Sequence, residues 1–482
     1  MLRFAVALAL IVCTSFTAEA ADWNQWRGPD RDGVANVSPP LREALPDAGL
    51  KPIWMNTQDL PEAKSGGWSS PVVADGRVYV FAHSKKQLSE PGPKKFPWLP
   101  PEKRVGMSDE EYQAYEVKRR DEDEARAKAY EYKEIVYCLD AESGKLLWTN
   151  EQDSVYTRFA QSSSPAVIEG RLYVLGAGRV ARCIDAASGK DLWDRQLPGE
   201  FRDEYLQSSF AVADGVAVVL CGALFGLDAR TGDVLWENND DESRTLHSSP
   251  AIYQAGDRQL IIANIPGGET ICVNPKDGRT LWRVESQAGH STPLVVGDKL
   301  LTYGSSRKAG LRCFQLSPEG AEELWICQRV ADPGSSPVVV DGNVYVQGER
   351  RLACVDLATG DQMWMTDLDI SNPRYTSLVA ADGKVLYAFE GVLCFSADPQ
   401  EYKQLMNARI DADGLLAEET AFRRQLNMDE LEKTAEGQKE AEQLWRKTFN
   451  NAGPLPCASP AIVDGRIYVR LKNGVACYDL RK

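Results

Sequence analysis

The sequence predicts an all-β protein, an eight-bladed β-propeller of four-stranded antiparallel blades, and three observations predict it. A segment of the form Cys-x-Asp-x-x-Ser/Thr-Gly-x-x-x-Trp recurs about every forty residues, as Cys138–Trp148, Cys183–Trp193 and Cys354–Trp364, with looser copies at Gly226–Trp236, Cys272–Trp282 and Cys313–Trp325. A period of that length marks a propeller or solenoid. Ahead of such segments stand a Ser-Ser-Pro start, a β-branched run, a Gly turn and a second β run, as in Ser69–Phe81, Ser163–Leu175, Ser249–Asn264 and Ser335–Gln347. Period-two alternation with tight turns reads as paired hairpins, and no helix-length apolar period interrupts it. Radial repetition of such blades leaves only short, protected edges.

In chain order, residues 1–20 come first. Arg3, the apolar run Phe4–Val12 and Ala18-Glu19-Ala20 form the charged, apolar and small-residue regions of a secretory signal, with cleavage expected before Ala21. The expected product is soluble and periplasmic or extracellular, because Cys13 lacks a lipoprotein context and no later apolar stretch reaches membrane-spanning length. Residues 21–49 form an N-terminal extension. Lys51-Pro52-Ile53-Trp54 then reads as an orphan fourth strand. The propeller, residues 50–482, is counted by the Pro of each first strand or its substitute: Pro71, Pro165, Phe210, Pro250, Pro293, Pro337, Leu378 and Pro460. The eighth copy, Ala458–Leu480, stops before a fourth strand or Trp. The N-terminal strand is therefore expected to complete it and remove the open edge.

Spacings of 94 and 82 between the first two and last two markers, against 40 to 45 elsewhere, place insertions at about 83–134 and 404–453. The first opens with Pro91, Pro93, Pro97, Pro100 and Pro101 and turns helical over Ser108–Glu134, where Ser108-Asp109-Glu110-Glu111 has capping-box form. The second carries a helical run around Met428–Phe449. Strand direction sends both to the face where first strands begin, as neighbours forming a helical cap over one rim.

The net charge is −15 and stays there when the signal is removed, since Arg3 and Glu19 leave together. Nucleic acid and anionic membranes are poor partners for such a surface; a monomer is expected. Cys138, Cys183, Cys272, Cys313, Cys354, Cys394 and Cys477 share one third-strand position, where a small buried apolar residue fits. Facing sheets lie about 10 Å apart, too far for bridged cysteines, so these seven are expected unbridged. Cys221, Cys327 and Cys457 are left open. The repeated Trp is a packing element, and the turn Asp and Gly serve the turns; irregularity, not repetition, marks function.

The spacing Asp140-x-x-Ser143-Gly144-Lys145-x-x-Trp148, with copies Asp185–Trp193, Asp228–Trp236 and Asp356–Trp364, resembles the tryptophan-docking repeat of pyrroloquinoline quinone (PQQ)-like propellers over nearly the whole chain after the signal. That family includes eight-bladed quinoprotein alcohol dehydrogenases and the non-enzymatic BamB-type factors of outer-membrane protein assembly. Asp22-Trp23-Asn24-Gln25-Trp26-Arg27-Gly28-Pro29 followed by Arg31-Asp32-Gly33 is similar to the start of many exported members. For a dehydrogenase the resemblance implies a vicinal Cys-Cys disulfide over the quinone, a Ca²⁺ held by carboxylate and amide oxygens, an Asp base and often a Cys-x-x-Cys-His haem site. Here no two cysteines are adjacent, Cys-x-x-Cys-His is absent, and there are three histidines in all. Single carboxylates such as Asp341 and Asp382 sit in repeat turns. PQQ with Ca²⁺ is thus the alternative cofactor expectation, no cofactor being assured, and no catalytic residue is assigned.

First strands begin nearest the axis, so one equivalent residue per blade makes a ring. Three positions before the markers it reads Trp68, Ser162, Gln207, His247, His290, Gly334, Tyr375 and Cys457. Two of the three histidines fall there in consecutive blades. Trp68, Gln207, His247, His290 and Tyr375, with Arg374 beside the last, are the candidate binding residues: aromatic and amide groups for a planar or polyhydroxylated ligand and a guanidinium for an anion. The plainer reading is that they cap strand ends and join adjacent blades. The two histidines lack an evident third metal ligand. The function expected is a ligand- or protein-binding scaffold, as in envelope assembly, with a PQQ-dependent oxidoreductase and a glycan binder as alternatives.

Overall fold

In the computed structural model, which describes residues 22–61, 67–159, 163–202, 208–238, 247–370 and 375–482, eight sheets follow one another along the chain, seven of four strands and one of six. The first strands start at Val72, Ala166, Ala211, Ala251, Leu294, Val338, Val379 and Ala461, each one residue after its marker. Phe210 and Leu378 thus do the work of the Pro they replace. The fourth strand of blade eight is Trp54–Asn56, paired antiparallel as Trp54↔Cys477 and Asn56↔Val475, so the N-terminus closes the ring. Residues 1–20, the expected signal, lie outside the described residues.

Within a blade the small third-strand residue faces the fourth-strand Trp, as in Cys138↔Trp148, Cys183↔Trp193 and Cys354↔Trp364. Gly226↔Trp236 uses the same register. Four of the indoles then lie over the turn glycine of the next blade: Trp148 over Gly189, Trp193 over Gly232, Trp236 over Gly278 and Trp325 over Gly360, where a Cβ would sit 2.5–2.6 Å from a ring atom. Trp54 covers Gly144 in the same way and carries the contact from blade eight to blade one. Its Nε1 donates to the Ala141 carbonyl at 2.9 Å, as Trp236 donates to Pro275 at 2.7 Å and Trp364 to Asp398 at 2.8 Å. None of the ten described cysteines is in a disulfide, Cys221, Cys327 and Cys457 included.

A second set of contacts ties the blades at the axis. The Ser70 amide donates to Ser164 Oγ (3.0 Å), Ser164 to Ser209 (2.9 Å), Ser209 to Ser249 (2.9 Å) and Ser249 to Thr292 (3.0 Å). The chain continues through Ser336 and Ser377, and Ser459 returns to Ser70 at 2.9 Å. The Ser-Ser starts of the repeat are therefore a belt of hydroxyls around the channel. The hydroxyls of Ser70, Ser164, Ser209, Ser249, Thr292, Ser336 and Ser377 each accept an amide that an innermost strand would otherwise leave unpaired, while the Ser459 hydroxyl takes no part.

The N-terminal extension fills that channel. Trp23 bridges antiparallel to Val73 of blade one and the Val167 amide of blade two donates to Asn24 (2.7 Å), while Val34–Ala35 runs parallel to Ala380–Ala381 of blade seven. The segment thus enters from the face opposite the first-strand starts, turns at Trp26-Arg27, and leaves along blade seven. Arg27 and Arg31 are buried and spend their guanidinium groups on carbonyls: Arg31 reaches Phe210 at 2.7 Å and Arg27 reaches Asp32 (2.6 Å) and Pro337. Burial lowers them to about 10 and about 9 respectively, the positive charge of Arg27 adding to the effect at Arg31. Both remain cations at neutral pH.

The insertions depart from expectation at their edges. Residues 83–87 and 130–134 are not loop: strands Arg77–Gln87 and Tyr130–Asp140 run on beyond the blade as a ribbon, down to the pair Gln87↔Tyr130. The helix Asp109–Ala127 on its tip has the expected capping box, Ser108 Oγ accepting from the Glu111 amide and Glu111 accepting from the Ser108 amide. Gln404–Ile410, placed in the second insertion, is the fourth strand of blade seven, paired as Cys394↔Met406. A fifth strand, Leu416–Glu418, precedes three helices, Glu419–Gln425, Met428–Leu431 and Ala435–Thr448, in place of one long run. The insertions reach different neighbours rather than a shared cap. Arg202 after blade two pairs with Asp121 and Glu124 of the first (2.5 and 2.7 Å), whereas Leu50 bridges Leu416 and Tyr478 donates to Gly414 (2.8 Å) in the second.

Gly144 and Gly76 both have positive φ, +67° and +69°, but a Cβ on Gly76 meets nothing within 4 Å. The backbone cost of Gly→Ala is common to both, so their difference isolates the indole contact. Gly144→Ala is expected to lower unfolding free energy by about 1–3 kcal/mol more than Gly76→Ala, the usual cost of overpacking, as measured by denaturant midpoints at equal m-value.

Candidate functional site: the blind mouth of the channel

Because the plug ends at Trp26, the channel opens on one face only, as a cavity of about 370 Å³. Trp26 is its floor and the hydroxyls of Ser70, Ser164, Ser209 and Ser249 its neck. Above them stand Trp68, His247, His290, Gly334, Tyr375 and Cys457, six of the eight positions of the anticipated ring. The other two, Ser162 and Gln207, lie outside the described residues, as does Arg374.

His247, His290 and Tyr375 meet as one aromatic cluster. The imidazole centroids are 4.6 Å apart, and Tyr375 lies 5.8 Å from His247 and 6.2 Å from His290. His290 Nδ1 accepts the His247 amide at 3.3 Å, which fits the strand-capping reading for that nitrogen. Burial pushes both rings below the usual histidine range; for His247, with the neighbouring His290 charge adding to burial, the value falls to about 3. Across the mouth Trp68 packs on Phe159 at 6.3 Å.

Tyr375 sits where it does because of Asp332. Its backbone is left-handed, φ +64°, a conformation costly for a bulky residue. Asp332 Oδ1 accepts the amides of Gly334 (2.9 Å), Ser335 (2.7 Å) and Tyr375 (3.1 Å), and Oδ2 accepts Gln347 Nε2 (3.2 Å). Gly334 is required beneath the ring, since a Cβ there would lie 2.2 Å from Tyr375 Cδ1. This carboxylate is committed to positioning, and burial raises it above the ordinary carboxylate value. Cys457 is a poor nucleophile: burial first, then the Asp332 charge, push its thiol up to about 12.

Sequence reasoning found the ring but missed Trp26, Phe159 and Asp332. A signal existed for two of them. Trp26 and Arg27 stand in a motif-like segment with no strand period, and Asp332-Pro333-Gly334 breaks the pattern of the other blade starts with an Asx-turn sequence. Phe159 had none.

A family model described as outer membrane protein assembly factor BamB matches residues 132–364 and 312–401, more than half of the chain. The chain belongs to this family of PQQ-like propellers. No curated protein matches it in sequence. Among solved structures, this PQQ-like propeller is similar to the quinohemoprotein alcohol dehydrogenase of Comamonas testosteroni, at 12% identity and TM-score 0.58 over 96% of this chain and 81% of that one. A europium-containing methanol dehydrogenase is similar at 10% identity and TM-score 0.57, over 96% and 98%. BamB of Moraxella catarrhalis aligns at 12% identity and TM-score 0.48, over 71% and 88%. At these identities the likeness shows the fold alone.

The dehydrogenase neighbours make PQQ a group to test against the residues present. A quinone bearing several carboxylates needs cations, and its metal needs oxygen donors. The described lining of the mouth has no charged side chain, and among the described residues no cluster of three or more His, Cys, Asp or Glu is placed to hold a metal. The described lining does not fit that cofactor. Among the described residues no helix is long and apolar enough to cross a membrane.

The histidine cluster predicts a pH dependence. A ring neutral in the fold down to about pH 3 but protonated in the unfolded chain below about 6.5 makes the unfolded state bind more protons between those values. Stability is therefore complete above pH 6.5 and is lost as pH falls toward 3. For His247 the loss is about 2 kcal/mol between pH 7 and pH 5. His247→Asn is expected to flatten the wild-type slope in that window, read from urea unfolding at each pH.

Proposed function

We propose that this chain is an exported binding scaffold, of the envelope-assembly kind that its family description names, whose mouth receives an uncharged, ring-bearing group of its partner. The observation that carries the reading is the makeup of the cavity. Rings of Trp26, Trp68, Phe159 and Tyr375 surround a neck of serine hydroxyls, with no charged side chain on the described lining. Aromatic faces bury the carbon face of a sugar or an aromatic side chain, and hydroxyls and imidazoles offer both donors and acceptors. A volume of about 370 Å³ is at the small end of ligand pockets, enough for one ring and not for an extended chain. The secretory pattern of residues 1–20 supports export.

The scaffold reading is favoured over redox chemistry because Asp332, the carboxylate next to the mouth cluster among the described residues, is already engaged by backbone amides. Titration of purified protein with neutral oligosaccharides and with short peptides carrying a single Phe or Tyr, followed by tryptophan fluorescence, is expected to show saturable binding to one of the two panels. Trp68→Ala should weaken it about tenfold, the worth of one lost aromatic contact at about 1.4 kcal/mol. No saturable binding in either panel overturns the mouth reading. Stoichiometric uptake of PQQ with Ca²⁺, accompanied by dye reduction with alcohols or sugars, would replace it with the oxidoreductase.

A further inference from the structure

The hydrogen-bonding groups of the mouth are unbalanced toward donors. Ser70 Oγ accepts the Ser459 amide (2.9 Å), Ser164 Oγ that of Ser70 (3.0 Å), Ser209 Oγ that of Ser164 (2.9 Å) and Ser249 Oγ that of Ser209 (2.9 Å). A hydroxyl has one hydrogen and two lone pairs, so each oxygen has accepted once and still holds its hydrogen. None of the four donates that hydrogen to a described residue, and all four line the cavity. His290 adds a fifth donor. Its Nδ1 accepts the His247 amide at 3.3 Å, and burial holds the ring below the usual histidine range. A neutral imidazole whose Nδ1 is an acceptor carries its hydrogen on Nε2. That Nε2–H donates to no described residue, and His290 also lines the mouth.

The five donors form an arc, one from the start of each of blades one to five. Acceptors around them are committed. Asp332 takes four N–H groups, from Gly334, Ser335, Tyr375 and Gln347, and indole nitrogens only donate. A phenyl ring seated here would displace water and leave the arc without partners, which is costly for buried donors. A phenol offers one oxygen. A plain hexose offers several, but nearly all are hydroxyls whose own hydrogens need acceptors that the mouth lacks. A carboxylate would accept from the arc, yet the described lining holds no cation to offset its buried charge. An amide carbonyl oxygen has two lone pairs, no hydrogen and no charge.

We propose that the group seated in the mouth is the acetamido-bearing end unit of an N-acetylated amino-sugar chain. This deepens the reading of the mouth given above and rests on it. The acetamido carbonyl meets the arc of hydroxyls and the His290 Nε2–H, its methyl turns toward the indole floor at Trp26, and the carbon face of the sugar packs on Trp68. Because Trp26 closes the channel, the chain cannot thread, and a cavity of about 370 Å³ takes one unit from its end.

The test is calorimetric titration of the intact chain with tri-N-acetylchitotriose, its fully deacetylated counterpart, cellotriose, and short peptides carrying a single Phe or Tyr. One tri-N-acetylchitotriose per chain is expected, at least about tenfold tighter than cellotriose. His290→Asn keeps a side-chain oxygen to accept the His247 amide but has no donor at the Nε2 position. It should weaken the acetylated sugar about tenfold, toward the cellotriose value, with the melting temperature unchanged. Trp68→Ala should weaken both sugars by the same factor, which separates carbonyl recognition from stacking. Equal binding of cellotriose or of the deacetylated sugar overturns the acetamido assignment while leaving a sugar-binding mouth. Tighter binding of a Phe or Tyr peptide overturns it in favour of a protein side chain, with the mouth reading intact. Selective binding that survives both His290→Asn and Trp68→Ala places the sugar elsewhere and overturns the proposal. No binding by any of these ligands overturns both it and the reading on which it rests.

Discussion

The docking of one blade's tryptophan onto the next blade's turn glycine is the contact on which this ring depends. A four-stranded sheet has two bare faces, and eight of them close into a circle only if successive face-to-face steps are alike; the contact recurs at five of the eight steps, with Met406 in the Trp place of blade seven. The indole supplies a large flat surface, the glycine permits approach to backbone distance, and the Nε1–H fixes the rotation of one against the other by bonding the neighbouring carbonyl. Trp54 over Gly144 makes this the step that joins the two ends of the chain. Because the strand bearing Trp54 comes from the N-terminus, closure is a long-range pairing whose loop entropy is recovered only when the whole circle is complete.

Closure creates a second problem, at the axis. Eight innermost strands turn an unpaired edge toward one channel, and unpaired buried amides and carbonyls are not tolerated. Two devices solve it: the belt of serine and threonine hydroxyls, and the axial segment Trp23–Ala35 with its two buried arginines. The arginines suit this place because a guanidinium has several hydrogens in a fixed fork and the carbonyls around it have none to offer. Burial lowers the proton affinity of both, and at Arg31 the charge of Arg27 adds to it. The same segment converts a pore into a blind pocket, so the element that satisfies the scaffold also sets the depth of the site.

What could be read in advance follows the same division. Eight blades, the closing strand and the ring positions Trp68, His247, His290 and Tyr375 were legible because repetition aligns them. Gln404–Ile410 was not, because Met406 stands where other blades have Trp opposite the third-strand Cys. The ribbon beyond His83 was hidden for a related reason: half-buried Ser84 and exposed Lys85 and Lys86 lie on a strand pair outside the core and carry no apolar alternation. Trp26 and Phe159 reach the mouth from segments outside the repeat, so no internal copy marks them. The cavity beside the ribbon, of about 850 Å³, is a property of the ribbon's register, which depends on pairing rather than on residue type.

That register bears on how two cavities of opposite character coexist within one chain. A net charge of −15 would repel an anion from the surface at large, but at physiological ionic strength such repulsion is screened beyond about 8 Å. Inside the ribbon cavity the near charges decide, and there Lys94 and Arg119 are paired with Asp123 and Glu116. The mouth, lined by rings and hydroxyls, responds to shape and hydrogen bonding and is indifferent to salt. The ribbon, which costs ordering entropy and adds nothing to ring closure, offsets part of that cost through the stack of His83 on Tyr132 and the pairs of Arg202 with Asp121 and Glu124 on the helix at its tip.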